Sequence, residues 1–160
     1  MTEADYDAQV GFLLQVRDKY DAVQKAILRI RSLRTQLQEL NGRLDSTAKP
    51  VRKLSDSLIR QLTGIEEALY QTKSKSSEDM LNYPIRLNDK LSGIYGFASD
   101  GYHAPSRQAR EVFADLSARA DIQLNRLNDI IQTGITELNK LVYDRQVPMI
   151  SPKESEDEKK

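Results

Sequence analysis

The chain has 160 residues, 39% hydrophobic and 30% charged, with 24 basic residues against 24 acidic ones, five prolines, seven glycines, no tryptophan and no cysteine. A single domain of this size buries roughly 70% of the surface of its unfolded chain, without help from a metal or a cross-link. Balanced charge excludes an overall field for nucleic acid or an anionic membrane, and the missing cysteines exclude disulfides, thiolate metal sites and a Cys nucleophile.

The first element is a long one. Leu13, Val16, Tyr20, Val23, Ile27, Ile30, Leu33, Leu37, Leu40 and Leu44 recur at spacings of three and four, which predicts an amphipathic helix near 5–44. At 1.5 Å per residue it would be on the order of 60 Å long, the spine of a bundle. "LDSTAKP" then supplies capping residues and a proline, and Val51, Leu54, Leu58, Leu62, Ile65 and Leu69 form the stripe of a second helix near 50–73, returning antiparallel. "QTKSKSSEDM" has no apolar period and marks a connection.

In "DMLNYPIRLNDKL", Pro84 biases Tyr83 away from helical backbone, so the stretch redirects the chain and starts a third helix near 84–98 with Pro84 in its first turn. Leu87, Leu91, Ile94 and Tyr95 share one face of it, and "YGFASDGYHAP" stops it. The last helix, near 105–145, begins with Pro105 in its first turn and carries Val112, Phe113, Leu116, Ala120, Leu124, Leu127, Ile131, Leu138 and Leu141. Gly134 sits on that stripe, where a small residue allows a close approach of two backbones or leaves a notch for a ligand. No strand pattern competes. The expected fold is all-α, an elongated antiparallel up-and-down helical bundle with two long and two shorter helices, occupying residues 1–150 as one domain. Residues 151–160, "SPKESEDEKK", have no apolar residue to bury and read as a disordered charged tail.

Catalytic constellations are hard to assemble from these residues. A carboxylate metal centre in a bundle needs Glu-x-x-His pairs, and the single histidine, His103, lies in a loop bounded by glycine and proline. A Ser-His-Asp triad would also depend on His103, with no nucleophile elbow beside it. Glu66 and Glu67 are adjacent on a helix and read as a solvated face; "GIYGFASDG" follows no strand and is no phosphate loop. Arg29, Arg31 and Arg34 read as the charged flank of a buried stripe, so Arg31→Ala should stay within about 0.5 kcal/mol. The reading is therefore of a non-enzyme with no catalytic, cofactor-binding or metal-binding residue. No run of about 18 apolar residues exists, so no membrane insertion is expected, and "MTEADYDAQV" has neither the basic nor the apolar region of a signal peptide.

The segment from Ser76 to Arg86 is the expected interface, because its backbone is not all committed to helix and Tyr83 offers an apolar ring with a polar tip. Tyr83 and Arg86 are its candidate contact residues; the structural alternative has Tyr83 and Ile85 plugging the end of the bundle.

Four stretches in order, "FLLQVRDKYDAVQKAILRIRSLRTQL", "DMLNYPIRLNDKLSGIY", "SRQAREVFADLSARADIQLNRLN" and "VPMI", resemble the C-terminal helical region of large bacterial sortilin-like β-propeller proteins, often labelled glycosyl hydrolases with bacterial neuraminidase repeats. The resemblance spans roughly residues 10 to 150. It implies an extracytoplasmic protein (periplasmic, secreted or at the cell surface) in which this chain is an excised domain with Met1 a cloning start, and it implies a β-propeller of the same parent as partner. No Asp-box turn appears here, so the hydrolase label carries no catalytic residue across. Two functions follow: a non-catalytic accessory or interaction bundle, or the carbohydrate-binding part of a glycoside-processing enzyme acting through Tyr83, Tyr95, Tyr102 and His103.

Overall fold

The computed structural model describes residues 2–74, 83–101 and 103–150. Helix α1 (Glu3–Arg43) begins with a capping box: the Asp5 amide donates to the Thr2 hydroxyl at 3.1 Å and the Thr2 amide donates to the Asp5 carboxylate at 2.9 Å. Its 41 residues give a rod of about 60 Å. Asp45 accepts from the Thr47 hydroxyl and amide in the turn that follows, and α2 (Lys49–Leu69) starts with Pro50 in its first turn. Helix α3 (Leu87–Ser99) and helix α4 (Arg107–Asp129) come next, and a π turn (Ile130–Gly134) joins α4 to α5 (Ile135–Asp144). The fold is an all-α bundle, with no strand among the described residues.

Side-chain pairings fix the topology. Asn41 donates to Asp56 at 2.8 Å, Ser55 to the Leu37 carbonyl at 3.4 Å and Arg31 to Glu66 at 2.6 Å, so α2 runs antiparallel to the second half of α1. Gln9 donates to the Ala98 carbonyl at 2.9 Å, and Arg17 and Tyr20 line a notch with Ser92 and Tyr95, so α3 runs antiparallel to the first half. Phe12 meets Phe113 edge to face at 5.5 Å and Lys19 pairs with Asp121 at 2.5 Å, which sets α4 parallel to α1. Helices α2 and α3 therefore succeed one another in one direction along a broken middle rod. That rod lies antiparallel to the two long ones. The two long and two shorter helices expected from the sequence make three rods.

Several boundaries differ from the sequence reading, each for a local reason. Helix α2 stops at Leu69 rather than near 73, because Tyr70 is extended at φ −137° and ψ 142°. Helix α3 begins at Leu87, three residues after Pro84; the Gln71 side chain donates to the Pro84 carbonyl at 2.8 Å and holds it in an extended arm. Pro105 precedes α4 instead of entering its first turn, because Ser106 takes the N-cap and accepts from the Ala109 amide at 3.1 Å. The sequence-predicted tail, 151–160, and the stretch 75–82 lie outside the described residues.

The core runs the length of the molecule. Val23, Ile27, Ile30, Leu58, Leu62, Ile65, Leu69, Leu91, Leu116 and Leu127 belong to one cluster, and Phe12, Val16, Ala98 and Ala109 close the end where the N-terminus lies. Two residues expected inside are outside: Val112 is 50% exposed, Ala109 taking the inward position, and Tyr95 is 44% exposed on the flank of α3. In the π turn the Ile135 amide bonds to the Ile130 carbonyl, an i→i+5 step. Ile130, at the start of this turn, is buried, and Ile131 packs partly exposed against the same core. Gly134 is tolerated there for contact with a side chain, not with a second backbone: a Cβ would lie 2.6 Å from Leu58 Cδ2.

Candidate functional site

The break in the middle rod brings together the residues with the least ordinary surroundings. The Glu66 side chain is only 3% exposed, and each of its oxygens takes one arginine from α1, Arg31 Nε at 2.6 Å and Arg34 Nη1 at 2.7 Å. Burial of a carboxylate is tolerated when its charge and lone pairs are both matched, as they are here. The Arg31 guanidinium also lies 5.2 Å from the centre of the Tyr70 ring, and Arg34 donates to the Thr63 hydroxyl at 3.3 Å. The sequence reading of Glu66 as solvated and of Arg31 and Arg34 as an ordinary charged flank is thus corrected; Glu67 is exposed as expected. A signal was present, since Glu66 is one turn from Leu62 and from Tyr70, on the edge of the apolar stripe.

One turn further on, Gln71 bridges the break. Its amide nitrogen donates to Pro84 and its amide oxygen accepts from the Lys73 amide at 3.2 Å. The arm thus pinned displays Tyr83 at 37% and Ile85 at 38% exposure, with Pro84 and Arg86 also exposed. Leu87 and Leu91, buried at 5% and 0%, fill the core below it. Among the described residues Arg86 makes no ion pair, so it presents a free cation beside two apolar side chains. The remainder of the sequence-predicted interface, residues 76–82, lies outside the described residues.

The other aromatic candidates stand apart. Tyr95 faces α1, where it lines a notch of about 200 Å³ with Val16, Arg17, Tyr20 and Ser92. His103, in the connection from α3 to α4, sits with Nδ1 3.1 Å from the Ala104 carbonyl oxygen, and Tyr102 lies outside the described residues. Neither Tyr83 nor His103 lines the notch that Tyr95 lines. A larger groove, about 410 Å³, opens between the second half of α1 and α5.

Among the described residues no group of three or more His, Asp or Glu side chains is placed to hold a metal ion, and no helix is long and apolar enough to cross a membrane. The shifted titrations have local causes outside this site. Asp5 is held below the usual carboxylate range first by its backbone bond with Thr2, and Asp45 by the Thr47 hydroxyl; Arg17 is raised by its bond to Asp18. What the site offers chemically is an exposed apolar arm, tied at the Pro84 carbonyl by the Gln71 side chain, with a cation at its end. The chain matches no protein-family model, no curated protein and no solved structure.

Proposed function

We propose that this chain is a non-catalytic interaction bundle, the helical part of a larger extracytoplasmic protein, and that it packs against a β-propeller of the same parent through the Tyr83–Arg86 arm. The propeller and the compartment rest on the sequence resemblance. The surface rests on one observation: Tyr83, Ile85 and Arg86 are exposed on a segment whose backbone is pinned by Gln71 at 2.8 Å. A segment already held in place loses little conformational freedom on binding, and tyrosine and arginine are the residue types that dominate binding energy at interfaces.

The test is a calorimetric titration of the separately produced propeller with this chain and with Tyr83→Ala and Arg86→Ala variants. Each variant should weaken binding by about tenfold while melting with the parent. Undiminished affinity in both would remove the arm from the interface.

A carbohydrate-binding role in a glycoside-processing enzyme is the second reading, favoured by the Tyr20 and Tyr95 rings that wall the α1/α3 notch. A glycan array separates the two: saccharide binding abolished by Tyr95→Ala supports the second, and a blank array leaves the first.

A further inference from the structure

The end of the bundle opposite the N-terminus carries both an apolar hollow and apolar projections. The hollow is the groove between α1 and α5, floored by Leu37, Leu138 and Val142. The projections come from the chain that leaves α5. The Val147 amide donates to the Val142 carbonyl at 3.1 Å and the Gln146 amide to Tyr143 at 3.0 Å, with Gln146 left-handed at φ 54°. This pair of bonds is a Schellman close, and it turns Val147 back onto the core. Met149 and Ile150 are left at the groove mouth and just beyond it, 87% and 85% exposed.

The groove lies at the opposite end of α1 from Gln9, whose side chain donates to the Ala98 carbonyl, and "SPKESEDEKK", which follows Ile150 in the sequence, contains no Val, Leu, Ile, Met, Phe or Tyr. The rim carries opposite charges one helical turn apart, Glu39 and Arg43, both exposed; neither is in an ion pair among the described residues.

We infer that a second copy of this chain covers the groove, in a two-fold contact between these ends. A two-fold interface places the same surface on both sides, so it needs a surface that complements itself. Apolar projection beside apolar hollow meets that requirement: Met149 and Ile150 of each protomer enter the groove of the other. The rim meets it too, because two antiparallel copies of α1 place Glu39 against the partner subunit's Arg43 and repeat the pair across the axis. With a formal net charge of zero, the protomers have no mutual repulsion to overcome. This surface is separate from the Tyr83–Arg86 arm, so the two ideas stand or fall independently.

The test is sedimentation equilibrium of the whole chain from about 1 to about 500 μM, a range that spans the affinities of reversible dimers. The parent should pass reversibly from monomer to dimer. Ile150→Asp should weaken the dimer by about tenfold or more, and Glu39→Arg should weaken it by placing like charges together. Glu39→Arg combined with Arg43→Glu should restore it. All of these residues are exposed, so at concentrations low enough for the monomer to predominate the urea midpoints should match the parent. A chain that stays monomeric throughout overturns the inference, as does a dimer indifferent to Ile150→Asp or one that the charge exchange fails to restore.

Discussion

Removing both arginines from Glu66 tests whether the rod break is held by a matched buried charge. Arg31 keeps 46% of its side-chain surface and Arg34 27%, against 3% for Glu66, so the carboxylate is the most fully desolvated of the three groups. Hydrogen bonds to charged groups contribute about 1.5–3 kcal/mol each, discounted for the more exposed arginine. Arg31→Ala should therefore cost about 1–2 kcal/mol, part of it the lost contact with Tyr70, and Arg34→Ala about 2–3 kcal/mol. The double variant leaves a buried carboxylate with no counter-charge and should cost about 3–5 kcal/mol, a fall of about 2 M in urea midpoint for a typical slope. Adding Glu66→Leu should recover most of that loss, because the stranded charge is then gone and its volume is filled. Helix content followed by circular dichroism during urea unfolding reads the parent and all four variants. If the double variant lies within about 0.5 kcal/mol of the parent, or the triple is no more stable than the double, the burial argument fails.

Core packing should separate two residues that look alike in the sequence: Leu127→Ala, at 5% exposure, should lose about 2–5 kcal/mol in urea, and Val112→Ala, at 50%, less than about 1 kcal/mol. At the close of α5, Gln146→Gly should hold or raise the melting point, whereas Gln146→Val should lower stability by about 1–2 kcal/mol, since a branched side chain is poorly accommodated at φ 54°. The turn between α1 and α2 should be acid-sensitive. Asp45 is held below the usual carboxylate range, so its contribution is present above that range and fades as pH falls through the lowered value. An NMR titration should find the Asp45 carboxyl titrating below an ordinary aspartate in the parent and closer to one in Thr47→Ala; identical curves would refute the cause.

The sequence by itself determined the helices, because a helix's apolar stripe is written in spacings of three and four along one stretch of chain. Val16, Val23, Ile30, Leu37, Leu62 and Leu116 were legible as core for that reason, and all are buried. It also marked Tyr83 and Arg86, since Pro84 interrupts the period; it could not show that Gln71 pins their backbone from thirteen residues away. Tertiary structure decided what lies opposite each stripe. The stacking of α2 and α3 into one rod follows from their separate pairings with the two halves of α1, and no local pattern encodes it. The π turn ends at Gly134, where a side chain would collide with Leu58 of α2, a neighbour met only across two helices. Glu66 shows the limit most directly: its place on the edge of an apolar stripe is local information, but whether a carboxylate there is solvated or buried depends on which side chains the facing helix brings. Here α1 brings two arginines, and periodicity carries no information about a partner met only through space.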